Sequence, residues 1–244
     1  MRRVLVTRPE PGAGSTARRL RAMGYEPVLL PLTEIRGLAT AAHPVGPWDA
    51  VVITSANAIR HAPAALVGAL ASVPAYAVGE ATAGAARAAG LSDVIAGRGD
   101  AAALAALVDL PPGSRLLYLC GRVRRPDFET ALAARRIDVI PLETYDTQAV
   151  PIADATASTL GLIDAVAIHS AEGATALARL VVRPAFAEVL GGSVLVAISA
   201  RAAKPVAGAF ADRIVVAPEP SDAAMVEALR TVTAPQCHPF HPIQ

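Results

Sequence analysis

The chain is 244 residues long, 53% hydrophobic and 18% charged, enough to bury one large core or two smaller ones. Its formal net charge of +1 gives no electrostatic footprint for nucleic acid, and no apolar run approaches the ~18 residues of a membrane span. Two cysteines, Cys120 and Cys237, exclude a disulfide framework and a paired-cysteine metal motif.

The first expected strand is Val4–Thr7, an apolar run too short for the core of a signal peptide, so a cytoplasmic protein is expected. Helix Ala13–Met23 follows, then strands Val28–Leu32 and Ala50–Thr54. Helix Asn57–Leu70, strand Ala75–Val78, helix Thr82–Ala89, strand Asp93–Ala96 and helix Ala101–Val108 complete the first half. The second half reads strand Arg115–Cys120, helix Phe128–Arg136, strand Val139–Tyr145 and strand Ala165–His169. Helix Glu172–Val181, strand Val194–Ile198, helix Ala202–Phe210, strand Ile214–Ala217 and helix Asp222–Arg230 close it. The strand runs are continuously apolar rather than alternating, as in parallel strands covered on both faces. Strands alternating with helices predict doubly wound α/β halves. The tail, residues 235–244, is proline-rich without period and is expected to be loosely held; a metal role for its Cys237, His238 and His241 is the weaker reading.

The two halves echo one another. RVLVTRP at Arg3 returns as RLLYLCG at Arg115, AVVITSANA at Ala50 as AVAIHSAEG at Ala165, and AVGEATA at Ala77 as AISARAA at Ala197. The period is about that of a whole domain rather than of a solenoid unit. Two similar halves imply a cleft between them, a common place for a ligand. Val28–Leu38 and Val139–Val150 are long and extended, stand at equivalent places, and are the candidates for segments that cross between domains.

In an open parallel sheet, ligands meet the turns at the carboxyl ends of the strands. Those turns read Thr7-Arg8-Pro9, Thr54-Ser55-Ala56-Asn57, Gly79-Glu80-Ala81-Thr82 and Arg98-Gly99-Asp100 in the first half. In the second they read Gly121-Arg122, His169-Ser170, Ser199-Ala200-Arg201 and Pro220-Ser221-Asp222. Small hydroxyl, amide and glycine residues cap helices and leave backbone N–H groups that favour phosphate or carboxylate. Each is also an ordinary cap; two matching rows are what point to a ligand. Gly12-Ala13-Gly14 has Ala17 where a dinucleotide fingerprint needs its third glycine, and Gly79–Gly84 lacks the Lys of a phosphate loop. No zinc-protease or serine-hydrolase motif is present. The chemistry therefore needs few side chains, which suits a protein that orients a reactive polyanion.

Taken in order and spacing over residues 3–230, these segments resemble the uroporphyrinogen-III synthase family. VLVTRPEPGAGSTARRLRAMGYEPVLLPLTEI, WDAVVITSANAIRH, YAVGEATAGAARAAGL, LYLCGRVRRPDFETALAARRIDVIPLETYDT, IDAVAIHSAEGATAL and PEPSDAAMVEAL carry the resemblance. It implies a cofactor-independent lyase that cyclises hydroxymethylbilane to uroporphyrinogen III. Water is lost and the last pyrrole ring is inverted through a spiro intermediate. It implies no metal and no cofactor, a monomer, and transient contact with hydroxymethylbilane synthase.

The resemblance also assigns roles. Tyr145, in Tyr145-Asp146-Thr147, becomes the expected proton donor to the leaving hydroxyl. Gly79, Thr82, Thr54, Ser55, Asn57 and Ser170 become expected substrate contacts, beside Thr7 and Arg8 from the first turn. The Gly-Pro-Thr-Thr turn often found in the family is here Ser199-Ala200-Arg201-Ala202, so Ser199 is expected as a contact and Arg201 as a replacement partner for a carboxylate. The implied fold is two similar doubly wound parallel-sheet domains joined by a two-stranded β linker. Residues 1–35 plus 150–234 would form one domain and 36–149 the other. The competing readings are a two-lobed anion-binding or regulatory protein of this fold without activity, and a Rossmann-type nucleotide enzyme.

Overall fold

A run of apolar residues cannot leave its backbone N–H and C=O groups unpaired in a core, so such runs pair as strands. The computed structural model describes residues 1–39, 44–98, 101–124 and 126–233. His43, Gly99, Asp100 and the tail with Cys237, His238 and His241 lie outside the described residues. The chain falls into two units, Met1–Glu34 with Ala149–Gln244, and Ile35–Gln148.

Unit 1 begins with β1 (Arg3–Val6), α1 (Gly12–Ala22) and β2 (Glu26–Leu29). It resumes after unit 2 with α7 (Ala155–Leu160), β9 (Ala165–Ile168), α8 (Ala171–Val181), α9 (Pro184–Leu190) and β10 (Val194–Ala197). It ends in α10 (Ala200–Ala203), a 3-10 turn Lys204–Val206, α11 (Ala207–Phe210), β11 (Ile214–Val216) and α12 (Asp222–Thr233). Its sheet runs β11-β10-β9-β1-β2, all pairs parallel. Leu5, Val166 and Leu195 face one layer with Leu177, Phe186 and Phe210, while Val4, Val6 and Val196 face the other with Leu20, Met225 and Leu229. Burial on both faces is why these strands are apolar at every position. Each such side chain removed from water contributes about 1.5–3 kcal/mol.

Unit 2 contains β3 (Thr33–Gly37), β4 (Ala50–Ile53), α2 (Ala56–Arg60), α3 (Ala64–Ala69) and β5 (Ala75–Ala77). It continues with α4 (Glu80–Ala88), β6 (Val94–Ala96), α5 (Ala101–Leu107), β7 (Arg115–Gly121), α6 (Asp127–Ala133) and β8 (Asp138–Ala149). The sheet order is β3-β8-β7-β4-β5-β6, parallel from β8 to β6. Val51, Ile53, Leu117 and Leu119 face α2, α3 and α4; Ala50, Val52, Leu116 and Tyr118 face α5 and α6.

In terms of the sequence repeat, both sheets have the same strand order. Unit 1 joins β1 and β2 of the first half to β9, β10 and β11 of the second; unit 2 joins β7 and β8 of the second half to β4, β5 and β6 of the first. The chain passes between units at residues 34–35 and 148–149, in β3 and β8, which are sheet neighbours.

Several boundaries differ from the sequence reading, each for a local reason. The expected helix Asn57–Leu70 is two helices, because Pro63 lacks the N–H a continuing helix needs and serves as the cap of α3. Ala202–Phe210 is broken in the same way around Pro205. The extended run from Val28 divides into β2 and β3 across Leu30–Leu32, where Pro31 cannot donate to a ladder. Helices α7 and α9 are additional to the sequence reading: both are short and lie where the Ala-rich periodicity is weakest.

Candidate functional site

In a doubly wound sheet, binding is expected where neighbouring crossovers leave in opposite directions. In unit 1 that point lies between β1 and β9, where Val6 at the end of β1 stands opposite Ala167. Thr7 follows β1, is buried, and its Oγ1 donates to the Ala167 carbonyl at 2.9 Å. Arg8 turns back over α1. Gly12 makes room for it, since a β-carbon there would lie 2.4 Å from the Arg8 Nε. Its Nη1 donates to Asp222 Oδ1 at 2.6 Å and to Thr16 Oγ1 at 3.4 Å. Asp222 opens α12, where a carboxylate also complements the helix dipole.

His169 follows β9 beside this pair, its Nε2 3.4 Å from Asp222 Oδ1. At 3.4 Å the approach favours the protonated ring, but its alignment is too poor to satisfy it, and neither ring nitrogen has a well-formed hydrogen bond. Burial pushes the imidazole pKa down; Asp222 opposes this and Arg8 adds to it. Burial would raise the Asp222 carboxyl, but His169 and Arg8 outweigh it and hold it below the usual range. Ser170, Ser199 and Ser221 cap α8, α10 and α12, accepting from Gly173, Ala202 and Ala224 N–H at 3.0, 3.2 and 3.1 Å. Arg201 is exposed in the first turn of α10.

In unit 2 the equivalent edge is formed by the ends of β4, β5, β7 and β8. Ser55 caps α2 by accepting from Asn57 N–H at 3.2 Å. Thr54 Oγ1 lies 3.0 Å from the Tyr118 hydroxyl, and burial pushes that phenol up to about 12 although the Thr54 bond opposes it. Gly79 caps α4 with extended backbone and no side chain, and Thr82 is buried in that helix. Burial likewise pushes the Cys120 thiol up to about 12.

Tyr145 stands opposite Gly121 where the β7–β8 register shifts. A β-carbon on Gly121 would come within 2.7 Å of the ring's Cζ and 2.9 Å of its hydroxyl. The ring is half-buried against the Val51–Leu119 face. Its neighbour Thr144 is fully buried and donates to the Ala58 carbonyl at 2.8 Å, tying β8 to α2. The Tyr145 carbonyl accepts from Arg122 N–H at 2.9 Å. The Arg122 guanidinium lies 3.4 Å from Glu143 and 3.5 Å from Asp146. Arg124 joins Glu143 and Glu129 at 2.9 and 3.0 Å, and these acids outweigh burial to push its pKa up.

The residues singled out in the sequence therefore fall into two rows. Thr7, Arg8, Ser170, Ser199 and Arg201 share the carboxyl edge of the unit 1 sheet. Thr54, Ser55, Asn57, Gly79, Thr82 and Tyr145 share that of unit 2. Two features were missed. The Arg8–Asp222–His169 cluster joins residues far apart in sequence. Gly121 reads from the sequence only as part of a strand-end turn, and nothing there announces that the Tyr145 ring packs against it. Among the described residues no cluster of three or more His, Cys, Asp or Glu could hold a metal ion, and no helix is long and apolar enough to cross a membrane.

Two doubly wound parallel sheets, each with capped helix starts along its carboxyl edge, define a two-unit α/β protein. The chain belongs to the uroporphyrinogen-III synthase family, whose model (uroporphyrinogen-III synthase HemD) matches residues 14–227. It is a lyase of tetrapyrrole biosynthesis. Solved structures share its fold. Uroporphyrinogen-III synthetase from Helicobacter pylori is 18% identical, with 95% of this chain and 99% of that chain covered and a TM-score of 0.61. A mutant uroporphyrinogen III synthase from Thermus thermophilus is 21% identical, with 95% and 98% covered and a TM-score of 0.55. No curated protein matches the chain.

Proposed function

We propose that the strand-end turns of each unit hold carboxylates of hydroxymethylbilane and that Tyr145 supplies the proton that lets its hydroxyl leave. The placement of Tyr145 supports this reading: its phenol packs against Gly121, on a strand that the buried Thr144 ties to α2. In the proposed step a pyrrole nitrogen lone pair expels the terminal hydroxyl. The C–O bonding electrons leave with oxygen, the phenol proton completes water, and a methylene-pyrrole cation remains beside tyrosinate. The substituted carbon of the last ring attacks that cation to give the spiro intermediate. Fragmentation and reclosure invert the ring, and the proton released on rearomatisation returns to the tyrosinate. No cofactor enters this scheme.

Thr54, Ser55, Asn57, Gly79 and Thr82 on one unit, and Thr7, Arg8, Ser170, Ser199 and Arg201 on the other, are the proposed carboxylate contacts. Helix starts capped by Ser55, Gly79, Ser170 and Ser199 support the contacts at those turns. Arg201 is exposed and adjacent to the Ser199 cap, which supports its replacing a lost hydroxyl contact. Unchanged substrate affinity in Arg201→Ala would remove it.

We take the two units as the two domains, residues 1–35 plus 150–234 and 36–149, acting as a cytoplasmic monomer that meets hydroxymethylbilane synthase only transiently. The test of the main reading is direct. Protein given hydroxymethylbilane made in situ should yield mostly isomer III after oxidation. Isomer I in the proportion of a protein-free control would overturn it.

A further inference from the structure

At the carboxyl edge of the unit 1 sheet, three ionisable groups converge from three elements: Arg8 after β1, His169 after β9 and Asp222 at the start of α12. Asp222 Oδ1 serves both others, at 2.6 Å from Arg8 and 3.4 Å from His169. The His169 side chain is only 6% exposed, yet neither ring nitrogen has a well-formed hydrogen bond. Leaving such a group unsatisfied forfeits its solvation without return, so a buried orphan calls for a state in which it is paired. Asp222 is the carboxylate within reach, and it is engaged by Arg8. The repeat sharpens the point. His169 stands where the other half has Thr54, and Thr54 has its neutral partner in Tyr118 at 3.0 Å.

We propose that Asp222 is an internal carboxylate that Arg8 exchanges for a carboxylate of the ligand, and that the freed Asp222 closes on His169, which takes a proton from solvent as the ligand binds. This rests on the reading that Arg8 receives a substrate carboxylate. The charges balance. Before binding, Arg8 and Asp222 cancel beside a neutral imidazole. Afterwards the ligand carboxylate cancels Arg8, and Asp222 cancels the new imidazolium. Burial, which now favours the neutral ring, is offset once Asp222 faces it and the Arg8 charge is taken up elsewhere. The surrounding elements also carry Glu10 before α1, Glu172 on α8, Arg201 on α10 and Glu219 before α12, but among the described residues only Asp222 and Arg8 act electrostatically on the ring. His169 is thus a positioning residue: it stores Asp222 away from Arg8 while the ligand is bound.

Uroporphyrin III, the stable oxidised form of the product, serves as probe. Its binding is followed by calorimetry near pH 7 in two buffers of different ionisation enthalpy. Wild type should take up about one proton per ligand, and His169→Asn and His169→Gln none. Asp222→Asn, which frees Arg8 beforehand, should bind several-fold more tightly without proton uptake. Asp222→Ser, which keeps an oxygen in the first turn of α12, carries the same expectation should the Asn variant fold poorly. Equal proton uptake in wild type and His169→Asn, or weaker binding by both Asp222 variants when folded, would overturn the exchange. Arg8→Ala separates the two layers. If it binds the probe as well as wild type, the carboxylate reading falls and the exchange with it. A tenfold loss in Arg8→Ala with uptake unchanged in His169→Asn overturns the exchange alone.

Discussion

Gly121 is the floor on which Tyr145 lies: the phenol Cζ is 2.7 Å from the point a β-carbon on residue 121 would occupy. The ring can keep its place only while that position carries hydrogen. Gly121→Ala is therefore expected to push the ring aside rather than to unfold the sheet. Thermal stability should fall by about 1–3 kcal/mol from the overpacking. Turnover to isomer III should fall by roughly 100-fold from a displacement of about 1 Å. Isomer analysis and thermal melting on the same sample check both.

Tyr145→Phe keeps the ring and its contacts and removes the proton. Loss of general-acid assistance lowers kcat by about 100- to 10,000-fold, with KM little changed. Full activity in this variant would end the phenol's role.

Thr144→Val tests the anchor behind Tyr145. The buried Thr144 hydroxyl bonds the Ala58 carbonyl at 2.8 Å, and the isosteric valine leaves that bond unmade. Urea unfolding should show a loss of about 1–3 kcal/mol, and Thr144→Ser should restore most of it.

The ligand-free protein should weaken in mild acid through His169. Its folded-state pKa lies below the ordinary 6.5, so below that pH the unfolded chain binds a proton that the folded chain refuses. Stability contributed by the neutral ring is full above about pH 6.5 and declines as pH falls toward the folded value, with a slope of at most about 1.4 kcal/mol per pH unit for one proton. Urea titrations across this range should show the decline in wild type and a flatter profile in His169→Asn.

Cys120 should resist alkylation in the folded protein at about pH 8, because its thiol is fully buried and its pKa is pushed up to about 12. Mass spectrometry of the peptide containing Cys120 should find it unmodified until denaturant is added. Rapid labelling of the native protein would show that β7 opens.

Much of this was legible in the residues. Val4–Val6 and Ala50–Ile53 are apolar at every position, and they are strands buried on both faces because helices cover each side. Ser55, Ser170 and Ser199 read as caps and are caps, since a small hydroxyl before an Ala-rich run is a local signal. What escaped was long-range. Nothing near Arg8 in sequence announces Asp222, and nothing near His169 announces that its ring nitrogens go unpaired. The helix breaks at Pro63 and Pro205 were visible in principle; the apolar periodicity across them masked the missing N–H.

The borrowing of strands has a consequence for synthesis. Residues 35–148 form one unit from a continuous stretch of chain. The opening strand of the other, by contrast, pairs Val4 with Ala165 and must wait for most of the chain to be translated. On the ribosome the middle of the protein can complete its sheet first, while β1 and β2 emerge early without their β9 neighbour. Translation order thus lets the inside complete before the ends, the reverse of the usual vectorial sequence in which the first-made domain folds first. The exposed wait of β1 makes the early chain the stage most in need of protection from aggregation.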